Sequence, residues 1–321
     1  MLAVGRRTAG AALLAAAAVA LVCAGCGGSD DASPSSGAVA TAGHGGTLTW
    51  ALADRPAELD PLFARSPSER LVSRQIHEPL IAELAGPFDD PRRVAGLALS
   101  ARPTSDDRAW RLRLRPGVRF QDGTPFDARA VIANAQRWQA QGRLPAEPEL
   151  FAFSPRPGQV TFKLAVADPR FDRRLASPRL GVVSRRALGA AGSRPLTAAE
   201  AADSGTGPFE LRENDADGLL MARNGDWWGS DHGLGPEIDQ LALPVVADPA
   251  ARVTELAGGD LQVAAELGAD EARRLRRDPL LDALPDGYGT ATGIELSVRG
   301  IPPRVPAPSL NAVWLTRIAP G

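Results

Sequence analysis

The most regular alternation of hydrophobic and polar positions in this chain lies between Trp110 and Leu114. Trp110, Leu112 and Leu114 fall on one face of an extended segment, whereas Arg111 and Arg113 fall on the other. Such an alternation is typical of a strand that is buried on one side and exposed on the other. The pattern therefore predicts a half-buried strand at this point.

Turns and a helix are predicted directly after this strand. The Pro-Gly pair at residues 116–117 interrupts it, Val118 and Phe120 resume a short apolar alternation, and the Asp-Gly pair at residues 122–123 supplies turn chemistry. Asp127 is a favourable residue for the amino-terminal cap of a helix. The apolar positions of that helix recur at helical spacing, at Val131, Ile132, Ala135 and Trp138.

The remainder of the chain alternates between strand and helix patterns. Shorter segments of strand character are predicted at residues 47–53, 160–166, 209–212, 241–246 and 261–264. Helical spacing runs through Leu71, Ile76, Leu80 and Ile81. A further helix is predicted to begin at residues 248–249 and to end at residues 258–260. Residues 188–200 are rich in alanine and glycine and predict a loop and crossover.

Four blocks of the sequence, taken in order, resemble a known protein family. They are residues 45–84 (beginning GGTLTWALADRPAELDPLFA), 110–131 (WRLRLRPGVRFQDGTPFDARAV), 205–229 (GTGPFELRENDADGLLMARNGDWWG) and 238–264 (IDQLALPVVADPAARVTELAGGDLQVA). Each block is similar to a signature region of the bacterial extracellular solute-binding proteins, family 5. These are the dipeptide- and oligopeptide-binding components of ABC importers. The resemblance extends over residues 45–297 and rests on the order of the blocks as well as on their content.

The resemblance implies an α/β fold of the type II periplasmic-binding-protein-like class. It implies a mixed-sheet lobe made by residues 47–85 and 201–298, with a smaller α+β lobe inserted at residues 86–200. Members of the family usually continue through a further lobe that closes over the ligand. Residues 299–321 are instead rich in proline and without periodicity, and we interpret them as an irregular tail. The expectation is a truncated or frameshifted chain in which the second ligand-closing lobe is missing.

The resemblance also implies a set of ligand-binding residues. In the family, the turn after the first strand faces the ligand cleft, and in this sequence that turn contains Asp54, Arg55, Glu58 and Leu59. A surface loop that only connects strand to helix is an equal alternative for each of these residues. Phe151 and Phe153 resemble the region from which the inserted lobe presents an aromatic side chain to the cleft, and packing in the core is the alternative for both.

Composition narrows the class of function. The 321 residues have a formal net charge of -2, and a pI near 6.0 gives no reason to expect a nucleic-acid partner. Hydrophobic residues make up 44% and charged residues 23%, as in an ordinary globular protein. Lys163 is the only lysine among the 36 basic residues, so single arginines reflect a compositional bias more than a function.

The amino terminus predicts export. The arginines at residues 6–7 precede an apolar segment at residues 11–22, which is too short to span a bilayer comfortably. Cys23 and Cys26 follow at once, and the sequence that ends at Cys26 resembles a bacterial lipobox, with the small residue Gly25 before the cysteine. We therefore expect a lipoprotein signal peptide at residues 1–25 and lipidation of Cys26. A plain signal peptide cut nearby and a redox pair of the two cysteines are the alternatives.

A flexible tether is predicted after this cysteine. Residues 26–46 are rich in glycine, serine, alanine and aspartate and contain almost no large apolar side chain, so they cannot form a core. The folded body would then hang from the outer face of the bacterial cytoplasmic membrane, on the periplasmic or extracellular side. The chain would contact the membrane through its amino-terminal lipid.

No pattern in the sequence is typical of catalysis. It contains no G-x-S-x-G or H-E-x-x-H motif, and His44, His77 and His232 lack the spacing of metal ligands. The glycines at residues 205 and 207 fit a tight backbone path better than a phosphate loop, because the lysine and the following helix of such a loop are missing. We therefore expect no enzyme activity, no cofactor and no metal, and we interpret His77 as structural.

These observations favour one function and leave a second one open. The first is a lipid-anchored receptor that captures oligopeptides or a similar small solute and delivers them to an ABC permease in the membrane. The second is a degenerate family member that binds no solute with high affinity. Retained ligand binding distinguishes the two.

Overall fold

The computed structural model describes residues 45–84, 92–144, 151–232, 236–275, 281–284 and 295–299. Within these ranges the strands are β1 Thr47–Ala51, β2 Ile81–Leu84, β3 Arg92–Ala95, β4 Ala98–Pro103, β5 Ala109–Leu114, β6 Phe151–Phe153, β7 Gln159–Lys163, β8 Phe209–Asn214, β9 Gly218–Arg223, β10 Gln240–Pro244, β11 Val263–Leu267, β12 Leu281–Leu284 and β13 Glu295–Arg299. The helices are α1 Pro67–Ile76, α2 Ala128–Ala140, α3 Phe171–Leu175, α4 Arg185–Ala191, α5 Ala198–Ala202, α6 Pro249–Gly258 and α7 Ala269–Leu275.

A seven-stranded mixed sheet has the order β12-β13-β11-β1-β10-β9-β8. Its central strand β1 runs parallel to both neighbours, β10 and β11. Leu48, Trp50 and Leu52 are buried on one face of this strand, which confirms their predicted alternation. Ala51 on the opposite face is buried too, in a cluster with Leu256 of α6. Both faces of β1 are covered, as expected of a strand between parallel neighbours.

A four-stranded antiparallel sheet has the order β4-β5-β7-β6. In β5 the burial alternates as predicted, with Trp110, Leu112 and Leu114 inward. Helix α2 covers that inner face through Val131 and Trp138, which belong to the same buried cluster as Trp110. These contacts leave the other face of the sheet exposed.

The predicted cap of α2 is confirmed. The backbone N–H of Ala130 donates to Asp127 Oδ1 at 2.9 Å, which satisfies one of the otherwise free donors at the start of the helix. The second predicted helix, α6, is confirmed at both ends. Asp248 Oδ1 accepts from the N–H of Ala250 at 3.0 Å, and Gly259 ends the helix with φ +90°.

The predicted extent of α1 is wrong at its end. Helical spacing predicted continuation to Ile81, but the helix ends at Ile76, and Ile81 begins β2. The N–H of His77 makes the final helical hydrogen bond, to Ser73 O at 2.8 Å. Pro79 then excludes helical geometry at the residue before it.

The strand predicted at residues 160–166 is too long. Val160 and Phe162 are buried, but β7 ends at Lys163, and Val166 is 72% exposed. The ladder between β5 and β7 ends at the pair Ala109 and Lys163, and beyond it the N–H of Leu164 donates to Arg108 O at 2.8 Å.

The loop predicted at residues 188–200 is also wrong, because two short helices lie there. Ser184 Oγ accepts from the N–H of Ala187 at 3.2 Å and caps α4. Thr197 and Glu200 form a capping box at the start of α5, so local hydrogen bonds stabilise both helices in an Ala-rich segment. Ala187 and Ala191 pack in the same cluster as Trp50 of β1.

The boundaries predicted for the two lobes, residues 47–85 with 201–298 and residues 86–200, stay a prediction.

Several predicted features lie outside the described residues. These are the signal peptide at residues 1–25, the lipidation site Cys26, all of the tether before residue 45, and the tail at residues 300–321. Among the helices that the structure does describe, none is both long enough and apolar enough to cross a membrane.

Candidate functional site

The carboxyl ends of β1, β10 and β11 meet on one edge of the mixed sheet, because these three strands are parallel. In open α/β sheets, ligand-binding groups collect outside the carboxyl ends of the strands. We call this part of the molecule the carboxyl edge and define it as residues 52–58, 245–248 and 266–268.

Two carboxyl groups lie on the carboxyl edge. Asp54 is exposed, and its Oδ1 accepts a hydrogen bond from Ser68 Oγ at 2.7 Å, which ties it to the first turn of α1. Glu266 is half-buried, and burial raises the pKa of its carboxyl group. The negative charge of Asp54 raises this pKa further, while Arg252 and Arg70 oppose the shift. The two carboxyl groups are therefore close enough to interact.

Glu266 is held in an unusual backbone conformation by a buried arginine. Its φ is +55°, a region that non-glycine residues rarely adopt, and it lies at an irregularity in the pairing of β11. The guanidinium of Arg252, 1% exposed, donates to Glu266 O at 2.8 Å and to Val246 O at 2.6 Å. Arg252 therefore joins the ends of β10 and β11 and fixes the backbone from which Glu266 projects.

Basic groups flank these carboxyl groups. Arg55 is exposed, and its Nη2 donates to Asn214 Oδ1 at 2.7 Å, at the end of β8. Arg70 in α1 donates to the backbone carbonyl of Arg65 and lies near enough to Glu266 to oppose the rise in its pKa. The carboxyl edge thus carries both signs of charge side by side.

The positive charge extends beyond α1. Burial lowers the pKa of the Arg179 guanidinium, and the positive charges of Arg143, Arg70 and Arg65 lower it further. Four arginines from three segments of the chain therefore lie close together at the start of α1. Like charges that interact in this way favour a bound anionic group.

Three of the predicted ligand-binding residues lie together on the carboxyl edge: Asp54, Arg55 and Glu58. Glu58 is half-buried, and its Oε1 accepts from the N–H of Asp60 at 2.8 Å. Burial raises the pKa of Glu58, and the negative charges of Asp60 and Glu69 add to the shift. Leu59 does not join them, because its side chain is 2% exposed and packs in the core with Val72.

The two predicted aromatic residues lie elsewhere. Phe151 and Phe153 belong to β6, at one side of the four-stranded sheet, and not to the sheet that carries Asp54. Phe153 is half-buried, and Lys163 Nζ lies 5.5 Å from the centre of its ring. The side chain of Phe151 lies outside the described part of the structure. A solute-binding role for any of these residues stays a prediction.

Sequence reasoning missed Glu266, Arg70 and Arg252. The strand predicted at residues 261–264 ended before Glu266, whereas β11 continues to Leu267. A parallel arrangement of β1 and β11 would have placed the residues after both strands on one edge. No local signal marks Arg70 or Arg252, since arginines are frequent throughout this chain.

A second charged group is buried between the two sheets. Glu78 Oε2 accepts from Thr206 Oγ1 and from Trp228 Nε1, both at 2.8 Å. The guanidinium of Arg115 lies 3.9 Å above the Trp228 ring. Burial raises the pKa of Glu78 to about 7, although these hydrogen bonds act in the opposite direction. Glu78 is therefore a structural acid, enclosed by protein groups.

His77 also has a structural environment. Its ring is 1% exposed, and Nε2 lies 2.9 Å from Ser204 Oγ. Burial lowers the pKa of the imidazole to about 4, so the ring is neutral at physiological pH. Among the described residues, no group of three or more histidine, cysteine or carboxylate side chains is placed to hold a metal ion.

The fold and the match to a family model define the class of protein. A mixed sheet with a parallel centre, combined with a separate antiparallel sheet, is the type II periplasmic-binding-protein-like α/β fold. Residues 93–306 match the family described as "Bacterial extracellular solute-binding proteins, family 5 Middle". Because this match covers more than half of the chain, the chain belongs to that family, whose members are solute-binding transport proteins and not enzymes.

Individual relatives agree with this assignment. The chain is 27% identical over 235 residues to the glutathione-binding protein GsiB of Salmonella paratyphi A, covering 70% of this chain and 43% of GsiB. It is 28% identical over 227 residues to the nickel-binding periplasmic protein of Escherichia coli, covering 68% of this chain and 40% of that protein. The chain thus spans less than half the length of these curated relatives.

A solved structure shares the fold. The ABC transporter-associated periplasmic binding protein DppA from Helicobacter pylori, in complex with the peptide STSA, superposes with a TM-score of 0.63 at 17% sequence identity. The superposition covers 76% of this chain and 51% of DppA. At this identity the comparison establishes the fold alone.

Proposed function

We propose that the chain is the solute-binding component of an ABC importer and captures oligopeptides or a similar small solute. The observation that carries this proposal is the presence of both charge signs on the carboxyl edge. Asp54 and Glu266 are complementary to an ammonium group, and Arg55 and Arg70 are complementary to a carboxylate. A peptide carries both groups at its ends. Family membership and the glutathione-binding relatives support the same solute class, since glutathione is itself a small peptide.

The proposal includes an anchor and a partner. Cys26 would be lipidated after removal of residues 1–25, which would hold the body on the outer face of the cytoplasmic membrane. An ABC permease in that membrane would receive the solute. The lipobox-like sequence that ends at Cys26 and the apolar segment before it support the anchor.

Thermal unfolding of the full chain with a mixed peptide library tests solute capture. A ligand that binds only the folded state raises Tm in a saturable way. The same library with acetylated amino ends and amidated carboxyl ends should give little or no rise, because its terminal charges are removed. A cooperative transition that no peptide shifts would favour the alternative, a family member without high-affinity binding.

Variants locate the site. Asp54→Asn combined with Glu266→Gln should reduce the peptide-dependent rise in Tm, since the ammonium group then lacks both carboxylates. Asp226→Asn removes a negative charge from an exposed side chain after β9, at the opposite edge of the sheet, and serves as the matched control. Equal rises in Tm in the double variant and in the control would place the solute elsewhere.

A further inference from the structure

The outer face of the four-stranded sheet carries several exposed side chains, and the strand register determines which residues they are. Arg102, Arg111 and Thr161 are paired across β4, β5 and β7. Arg113 is paired with Gln159 in the next row, and Lys163 lies at the end of β7. Directly paired residues of antiparallel strands share a face. These residues therefore lie together, opposite the inner face that α2 covers.

This outer face is strongly basic. The side chains of Arg102, Arg111, Arg113 and Lys163 are exposed. No strand residue that points to the same side is acidic, and no carboxylate of the described residues forms a salt bridge with any of the four cations. The surface is a local departure from a chain whose formal net charge is -2.

The placement of two of these cations is unfavourable for the isolated protein. Arg102 and Arg111 are direct cross-strand partners, and like charges in that position destabilise a sheet. An anionic surface against the face removes this repulsion. The acidic residue Asp106 lies outside the strands of this face, in the turn after β4. Its carboxylate accepts a hydrogen bond from Thr104 Oγ1.

One apolar side chain lies on the face with the cations, and a second is exposed in the segment that follows β7. Phe153 is half-buried on the same face, beside Lys163. Val166 is 72% exposed, three residues beyond Lys163. Basic side chains together with a few exposed apolar groups are typical of surfaces that lie against the headgroups of anionic lipids. The combination points to a bilayer more than to a soluble anion, which would not contact the apolar groups.

We propose that this basic face docks on the anionic phospholipid headgroups of the membrane to which the chain is anchored. This inference rests on the lipid anchor of the proposed function. The predicted tether at residues 26–46 spans up to about 70 Å when fully extended, so it allows any face of the body to reach the bilayer. Docking would hold the four-stranded sheet against the lipid and fix one orientation of the body.

The single lysine provides a direct probe of docking. The full-length lipidated chain is placed in phosphatidylcholine vesicles with and without phosphatidylglycerol, and an uncharged acylating reagent is added. Acetylation of Lys163, followed by mass spectrometry, should slow about tenfold in the anionic vesicles. High salt should restore the rate, because it screens the attraction.

Two matched variants separate docking from a change in fold. Arg111→Gln with Arg113→Gln removes two cations from the face and should abolish the protection of Lys163. Arg129→Gln with Arg173→Gln removes the same charge from exposed positions on α2 and α3, which cover the inner face, and should leave the protection intact. The circular dichroism spectra of both double variants should match that of the wild type.

Each outcome decides a separate point. Equal Lys163 reactivity in both kinds of vesicle, on a chain whose Cys26 peptide carries lipid, would overturn the docking and leave the anchor standing. Absence of lipid from the Cys26 peptide of the isolated chain would overturn the anchor, and protection of Lys163 on that same chain would leave the docking standing. Protection that survives loss of Arg111 and Arg113 would show that these cations do not hold the face on the lipid, and would overturn the docking.

Discussion

At the scale of single residues, two neighbouring groups have opposite effects on the pH dependence of stability. Glu78 and His77 are both buried at the end of α1, and burial shifts each pKa toward the neutral form. The neutral carboxyl group of Glu78 contributes to the free energy of unfolding below pH 4.5, and this contribution is lost as pH rises through about 7. The neutral imidazole of His77 contributes to the free energy of unfolding above pH 6.5, and this contribution is lost as pH falls through about 4. The two effects oppose each other between these limits.

The substitution Glu78→Gln is expected to change the pH dependence of folding. Glutamine retains an acceptor for Thr206 and Trp228 but does not ionise. The free energy of unfolding of the variant minus that of the wild type should be roughly 2–3 kcal/mol larger at pH 8 than at pH 5. The reason is that the wild-type carboxylate must be charged in a buried site at the higher pH. Urea titrations at both pH values measure this difference.

A matched control uses an exposed carboxylate. Glu213→Gln, on β8, makes the same chemical change where solvent reaches the side chain. It should give the same change in the free energy of unfolding at pH 5 and at pH 8. An equal response of the two variants would show that Glu78 is solvated.

At the scale of elements, the contact between α1 and the segment before β8 depends on glycine. The N–H of Gly207 donates to Ile76 O at 2.7 Å. A Cβ atom on Gly205 would lie 1.8 Å from the same carbonyl oxygen. The tight backbone path predicted for these two glycines is therefore confirmed. It requires glycine because the backbone carbonyl groups at the end of α1 leave no room for a side chain.

Gly205→Ala is expected to destabilise the protein by about 3 kcal/mol or more, because the new methyl group must displace backbone atoms. Gly189→Ala serves as the control. Gly189 lies inside α4 with open space around the position of a Cβ atom, so alanine there should stabilise the protein by about 0.5–1 kcal/mol. Denaturant titration of both variants should give opposite signs, and a loss of stability no larger in Gly205→Ala than in Gly189→Ala would contradict the contact.

At the scale of the whole molecule, a buried ion pair connects two hydrophobic cores, the one that contains Trp50 of the mixed sheet and the one that contains Trp110 of the four-stranded sheet. Asp60 lies in the segment between β1 and α1, and Arg137 lies on α2 against the four-stranded sheet. The side chains are 0% and 7% exposed, and both carboxylate oxygens accept from the guanidinium. Asp60 Oδ2 also accepts from the N–H of Leu196 at 2.9 Å. Three distant segments therefore meet at one carboxylate.

Arg137→Met should lower the free energy of unfolding by about 3–5 kcal/mol, because it leaves the buried charge of Asp60 without its partner. Arg174→Met breaks a surface pair with Asp168, in which Arg174 is 53% exposed, and should cost less than about 1 kcal/mol. Tryptophan fluorescence and far-ultraviolet circular dichroism should follow one common transition in the wild type. Two separate transitions would contradict the coupling of the cores.

The sequence located part of the candidate site. The loop after β1 was identified through Asp54, Arg55 and Glu58, because it directly follows a strand with a clear alternation. Glu266 was missed because its place on the carboxyl edge depends on the parallel pairing of β1 with β11, whose residues are more than 200 positions away in the chain. Phe151 and Phe153 were predicted by resemblance to face the cleft from the inserted lobe, and both lie in β6 of the four-stranded sheet, so this role stays a prediction.

Local patterns determined the strands, caps and turns that depend on neighbouring residues. The alternation of β5, the cap at Asp127 and the glycine end of α6 each involve groups a few residues apart, so the sequence contains all the interacting partners. The end of α1 is also a local feature, since Pro79 disfavours helical geometry at the residue before it. By itself, the sequence also determined membership of the solute-binding class, through the order of its four blocks.

Tertiary structure alone decided which distant groups meet. The carboxyl edge, the ion pair of Asp60 with Arg137, the enclosure of Glu78 and the basic outer face all combine segments that are far apart in the chain. Burial and proximity set the pKa of a side chain and the sign of a surface charge, and both are properties of the folded arrangement. Strand order and register created them, because they fixed which side chains share a face.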